Sequence, residues 1–223
     1  MLASSLINPM IPVLKPTDSV GTALDWMDEY SVKQLAVADS GIYQGIVSED
    51  ILFDVVDNTE LLVRLIIQHK DIFASEDQHP YELLRLVNQF GLKVIPVLHD
   101  DRTFAGSILA SDLVEHFVNE LGVQEKGAVI VLRIAERSYS LSEISRLIES
   151  NGVKILSSYY SSGEVYNPTN EARLTLKLNR THITPIIATL ERFGYEIEEA
   201  HANDPIETLD QERLDMLLRY LAT

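Results

Sequence analysis

The 223-residue chain contains no cysteine. It therefore has no disulfide framework, no thiolate zinc site and no cysteine nucleophile. Cationic side chains are scarce, with 18 Lys+Arg against 34 Asp+Glu and a net charge of −16. A surface this acidic repels phosphate backbones, so no nucleic-acid partner is expected. No apolar run approaches the roughly 20 residues of a membrane helix. The first basic residue is Lys15, so the charged start of a secretory signal is missing. The expectation is a soluble cytoplasmic protein with no membrane partner, in which the glycosylation-like Asn179-Arg180-Thr181 is accidental.

Chemical signatures are equally sparse. There is no Gly-x-x-x-x-Gly-Lys-Ser/Thr phosphate loop and no Gly-x-Ser-x-Gly nucleophile elbow. The six histidines form no His-Glu-x-x-His helix or other zinc spacing. His99-Asp100-Asp101 reads as a solvated turn rather than a cation site. No catalytic residue, metal or obligatory cofactor is expected, and the chain does not read as an enzyme.

What is present is globular: 46% hydrophobic and 23% charged residues. Charge is unevenly spread. Residues 1–125 hold 7 basic and 20 acidic groups, net −13, and residues 126–223 hold 11 and 14, net −3. This asymmetry predicts two modules.

The first module repeats itself. Leu24–Met27, Tyr30, Val32-Lys33, Leu35–Val37, Gly45–Val47 and Leu52 align with Leu84–Val87, Phe90, Leu92-Lys93, Ile95–Val97, Gly106–Ile108 and Leu113. The offset is 60 up to Val97 and 61 from Gly106, the extra residue falling in the polar turn 99–103. Each copy reads as a short start, a helix, two short strands around a polar turn, and a second helix. Val20, Ala23, Leu24 and Met27 give the first helix one apolar face, with Asp18 as its expected N-cap.

With Ile95-Pro96-Val97-Leu98, Gly45-Ile46-Val47-Ser48 and Gly106–Leu113, this repeat resembles a tandem cystathionine-β-synthase-type (CBS) domain pair. The resemblance covers about residues 8–120, in copies of about 8–60 and 68–120. It implies a cleft between the copies for AMP, ADP, ATP or S-adenosylmethionine. There a Gly-x-x-Thr/Ser-x-x-Asp motif offers a hydroxyl and a carboxylate to the ribose, and apolar strand edges flank the adenine. Copy one keeps the hydroxyl, Ser48, and has Ile51 in place of the carboxylate. Copy two keeps the carboxylate, Asp112, and has Leu109 in place of the hydroxyl. The candidate ligand residues are Asp112 and Ser48 with Leu35, Val94, Ile95 and Pro96. The competing reading makes Asp112 and Ser48 helix N-caps. Only seven cations lie in residues 1–125, which favours a monophosphate or adenosyl compound over ATP.

The second module reads as β-α-β-β-α-β. Strands are expected at 128–132, 153–160, 172–178 and from 195. The helical stripes are Leu141/Ile144/Leu147/Ile148, capped by Ser140, and Ile183/Ile186/Ile187/Leu190. Asn151-Gly152 and Gly194 mark the helix ends. The order, together with Glu136–Ile144, resembles an ACT domain over about residues 127–201. Ser138 and Tyr139 stand where that family has proline and glycine. The resemblance implies an amino-acid effector at this loop, with Arg137 and Tyr139 as candidates.

Residues 206–223 carry Ile206, Leu209, Leu214, Leu217, Leu218 and Leu221 at helical spacing. The predicted fold class is therefore α/β (α+β), with a CBS pair (1–125), a ferredoxin-like ACT-type domain (126–205) and a C-terminal amphipathic helix (206–223). The combination resembles acetoin-utilisation-type regulatory proteins. It implies a non-catalytic homodimer that senses a small-molecule effector and relays binding by domain or subunit rearrangement, to an unidentified protein partner where there is one. The alternatives are an interaction scaffold whose pockets have decayed and an amino-acid-sensing ACT module.

Overall fold

The computed structural model describes residues 2–65, 67–162 and 171–202. The expected helix over 206–223 lies outside them. The chain divides into two compact units, Met1–Phe117 and Val118–Thr223, and the mixed helix-and-sheet class is as expected.

In the first unit, copy one runs α1 (Val20–Glu29), β1 (Gln34–Asp39), β2 (Ile42–Ser48) and α2 (Glu49–Phe53). Copy two runs β3 (Ala74–Ser75), α3 (Pro80–Phe90), β4 (Val94–Leu98), β5 (Phe104–Leu109) and α4 (Ala110–Glu120). The repeat holds at backbone level. Leu14 bridges Val37 in parallel, as Ala74 bridges Val97 sixty residues on. Both hairpins carry a bulge at the same place, Val37/Ala38 and Val97/Leu98. Glu49 N–H donates to Lys33 O and Ala110 N–H to Lys93 O, each at 3.0 Å, so each second helix begins without a linker.

One cap differs from expectation. Ser19, not Asp18, caps α1: its Oγ accepts from Thr22 N at 3.1 Å. Asp18 Oδ2 instead accepts from Lys15 N at 2.7 Å, closing the turn ahead of the cap. In α3, His79 Nδ1 accepts from Tyr81 N at 3.2 Å, and Pro80 sits in the first turn, where its missing N–H costs nothing.

The copies share their interior. Ala36, Tyr43 and Ile46 of copy one pack with Leu83, Ile95, Ile108 and Leu113 of copy two. A second cluster joins Val20, Met27, Leu35, Val47 and Leu52, with Leu109 of copy two against it. The leading segments cross. Gln68, ahead of copy two, exchanges two backbone bonds with Ile46 of copy one, 2.8 and 2.9 Å. Asn8, ahead of copy one, donates its N–H to Ser107 O of copy two at 2.9 Å. This approach requires glycine in each second strand. A Cβ on Gly45 would stand 2.5 Å from both Gln68 O and Ile67 Cγ2, and one on Gly106 2.5 Å from Ile7 Cγ2. Gly45 also has φ +135°, where a Cβ is strained.

The second unit runs β6 (Val129–Ala135), α5 (Leu141–Glu149), β7 (Ile155–Ser161), β8 (Glu171–Leu178), α6 (Thr184–Arg192) and β9 (Glu196–His201). The sheet order is β7-β8-β6-β9 and every neighbouring pair is antiparallel, the ferredoxin-like split arrangement. Alternation along β6 and β8 turns Ile130, Leu132, Ile134, Leu174, Leu176 and Leu178 toward Ile144, Leu147, Ile148, Ile186 and Leu190 of the helices. Ser140 caps α5 as expected, through a long 3.4 Å bond from Glu143 N. The opposite sheet face carries Arg133, Arg173, Thr175 and Lys177 at the alternate positions.

Candidate ligand site

The two strand–helix junctions of the first unit carry the polar residues singled out by the motif. Ser48 ends β2 at the N-cap position of α2, with extended dihedrals, and its side chain makes no cap bond. Asp112 is not at the N-cap position. It lies in the first turn of α4, where a carboxylate gains from the helix dipole. Asn8 Nδ2 donates to Asp112 Oδ2 at 2.8 Å, and Asn8 Oδ1 accepts from Met10 N at 3.0 Å.

A side chain absent from the motif ties the junctions together. Gln34, opposite Ser48 in the β1–β2 ladder, accepts through Oε1 from Lys93 N at 2.6 Å. Lys93 O in turn accepts from Ala110 N, the first residue of α4. Two cations stand here. Lys33 Nζ lies 3.3 Å from Glu49 Oε2, an exposed pair of little energetic weight. Lys93 has no ion pair among the described residues.

The apolar candidates lie on the adjoining strands. Leu35 is buried in β1 opposite Val47, within copy one's core. Val94, Ile95 and Pro96 are buried in β4 opposite Leu109, Ile108 and Ser107. Pro96 lies just short of the two residues that β3 pairs with, so its missing N–H breaks no bond to β3. Ser107 is 2% exposed, and its hydroxyl is the buried side-chain polar atom without a hydrogen-bond partner among the described residues. Such an orphan costs about 1–3 kcal/mol. Copy one has Ile46 in the equivalent place. Asn8, Gln34 and Ser107 were not singled out from sequence. For Ser107 the signal was there, a hydroxyl where the repeat predicts a large apolar side chain.

No family model matches the chain. Similar solved structures include a CBS domain pair/ACT domain protein from Thermotoga maritima, at 20% identity, covering 54% of this chain and 99% of that one, TM-score 0.49. A CBS-pair protein from Arabidopsis thaliana matches at 19%, covering 53% and 94%, TM-score 0.46. A CBS domain pair in complex with 5′-methylthioadenosine and S-adenosyl-L-methionine matches at 16%, covering 53% and 97%, TM-score 0.46. The first unit's own backbone shows two β-α-β-β-α copies with a common bulge and crossed leading segments.

The second unit has a cleft of about 400 Å³ at the β6–α5 end, lined by Arg133, Ser138, Glu143, Glu171, Tyr195 and Glu196 among others. Arg137 is exposed in the 3-10 turn Glu136–Ser138 and does not line it. Tyr139 does not line it either; its ring packs edge-on against Tyr160 at 5.1 Å. The cleft's cation is Arg133, flanked by Glu196 at 2.9 Å, Glu198 at 3.6 Å and Glu171 at 3.8 Å. Arg173 also holds Glu198 through two hydrogen bonds, one from Nε at 2.8 Å. That bonding, with the charges of Arg173 and Arg133, keeps the Glu198 carboxyl below the usual range. Tyr195 Oη donates to Glu143 Oε2 at 2.9 Å. Burial first, then this bond and the Glu143 charge, push the phenol up to about 12. The walls are thus carboxylate-rich, with their arginine already paired.

Proposed function

We propose that the chain is a non-catalytic regulatory protein whose CBS-type pair binds an adenosyl ligand at the joined Ser48 and Asp112 junctions. The observation that carries this reading is the Gln34–Lys93–Ala110 chain of hydrogen bonds, which draws the two half-kept motifs together. Asp112 receives the ribose hydroxyls on Oδ1, where they displace the long 3.5 Å bond from Ser111 Oγ, and Ser48 supplies the hydroxyl that copy two lacks. Leu35, Val94, Ile95 and Pro96 form the apolar strand surroundings of the base. Lys93 is one cation, enough for the single phosphate of AMP or the carboxylate of S-adenosylmethionine and too little for the chains of ADP or ATP. Binding acts by rearranging domains or subunits of a cytoplasmic homodimer. Arg137 and Tyr139 remain candidates for a separate effector contact in the ACT-like unit.

Titration calorimetry with AMP and with S-adenosylmethionine tests this. Saturable binding is expected, weakened in Asp112→Ala and in Ser48→Ala. Absence of binding by both compounds overturns it. One observation favours a second reading, an interaction scaffold without a ligand: the Asn8 amide already occupies one oxygen of Asp112. That reading predicts that Asn8→Ala leaves metabolite binding absent.

A further inference from the structure

The sheet face opposite α5 and α6 is the floor of a second recess in this unit. Strand register lays two rows across it. One runs Ser157, Lys177, Val129 and His201, the next Tyr159, Thr175, Val131 and Glu199. The segment ahead of β6 makes a wall. Ser157 Oγ donates to Leu121 O at 2.9 Å and pins that wall to β7. Gly122 keeps it close, since a Cβ there would stand 3.3 Å from Leu156 Cβ. Between wall and floor lies a groove of about 340 Å³, lined by Leu121, Val123, Val129, Tyr159, Thr175 and Lys177 with Ser157. That size and its mainly apolar walls suit a small molecule.

The lining sets one charge in an apolar surround. Tyr159 is 59% and Val123 57% exposed, large apolar surfaces open to water. Lys177 is the charged lining residue, and no carboxylate lines the groove. The other cations of this face are committed. Arg133 is paired with Glu171, Glu196 and Glu198, and Arg173 with Glu198. Glu199, at the far end of the second row, lies 2.9 Å from His201 Nε2. Lys177 has no ion pair among the described residues, although the chain carries a net charge of −16.

We propose that this groove binds a small monocarboxylate with an apolar body. Lys177 Nζ takes the carboxylate, and the Thr175 hydroxyl, two residues along the same strand, donates a further hydrogen bond. The body lies against Tyr159, Leu121, Val123 and Val129. A monoanion matches a single unpaired cation, and a charge-assisted bond gains strength beside apolar walls. A free amino acid fits poorly, because no carboxylate lines the groove to receive its ammonium and a buried unpaired ammonium is costly. The groove is the chemical opposite of the carboxylate-rich cleft at the β6–α5 end. It lies wholly within the second unit, so it stands or falls apart from the adenosyl reading of the first.

Nuclear magnetic resonance of the methyl-labelled full-length protein tests this, with hydrocinnamate as the probe. Saturable shifts are expected at the methyls of Leu121, Val123 and Val129, and none at Leu52 in the first unit. Two relatives of the probe separate its parts. Phenylalanine adds an ammonium to the same skeleton, and hydrocinnamamide removes the charge. Each should bind at least about tenfold more weakly. Lys177→Met keeps the apolar stem and should lose affinity by a similar factor with the other methyl signals in place, while Lys177→Arg should retain binding. Absence of saturable shifts at the three methyls overturns the proposal. So does equal binding of the three compounds, or undiminished affinity in Lys177→Met. Tightest binding by phenylalanine overturns it as well and makes the groove an amino-acid site.

Discussion

Asp112 and Asn8 form the smallest unit on which the binding proposal turns. A charge-assisted hydrogen bond to a ribose contributes about 1.5–3 kcal/mol, so Asp112→Ala should weaken an adenosyl ligand by roughly one to two decades. Gly45 belongs to the same scale. Its φ of +135° and the carbonyl of Gln68 where a Cβ would stand mean that Gly45→Ala adds both strain and overlap. A loss of about 2–4 kcal/mol is expected, read as a lower urea midpoint. An unchanged midpoint contradicts the crossed packing of residues 67–68 on β2. Tyr195 offers a titration. Its folded phenol ionises near 12 rather than 10 because of burial and Glu143. The neutral form is therefore favoured in the fold, and this stabilisation is complete below pH 10 and lost as pH rises toward 12. Burial also raises the Tyr43 phenol, so ultraviolet absorbance should show more than one late-titrating phenol, of which Tyr195→Phe removes one and Glu143→Gln brings that one down.

Elements were legible where periodicity and punctuation agreed. The alternation of Ala172, Leu174, Leu176 and Leu178 gave β8, and Ile144, Leu147 and Ile148 gave α5, because a residue that faces the core must recur with the element's own period. Side-chain partners were not legible. Asp18 and Ser19 are both good caps, and only the position of Lys15 N decides that Asp18 closes the earlier turn. Asn8 lies 104 residues from Asp112, and Gln34 lies 59 from Lys93, separations that no local pattern reports. The ACT-like loop shows the same limit. Its motif pointed to Arg137, while the arginine that lines the cleft is Arg133, an outward-facing residue of β6. The strands there are also tied electrostatically, since Arg173 of β8 reaches across β6 to Glu198 of β9. The lowered Glu198 pKa means that this pair stabilises above the ordinary carboxylate range and is lost as pH falls through the folded value. Arg173→Met should therefore cost stability at neutral pH and converge with the parent only in acid below the ordinary carboxylate range. A constant difference down to strongly acid solution contradicts this assignment.

The whole molecule holds two compact units with cores of their own, built on different principles. The first doubles a β-α-β-β-α motif and merges the copies through Ala36, Tyr43 and Ile46. The second closes one four-stranded sheet under two helices. The doubling was visible in the sequence as an offset of 60 residues, since a repeated fold must repeat its apolar positions. The crossing of residues 7–8 and 67–68 was not, because those segments carry no pattern beyond a pair of isoleucines. The proposed homodimer predicts a light-scattering mass of twice the 25.1 kDa chain at micromolar concentration. A species at the chain mass alone contradicts it.

The central claim is that the half-kept motifs of the two copies make one adenosyl site. Calorimetric titration of S-adenosylmethionine into the parent protein, Asp112→Ala and Ser48→Ala tests it most directly. The account predicts saturable binding to the parent, weakened about ten- to a hundredfold in Asp112→Ala and by a smaller factor in Ser48→Ala. Binding of equal strength in all three proteins would contradict it.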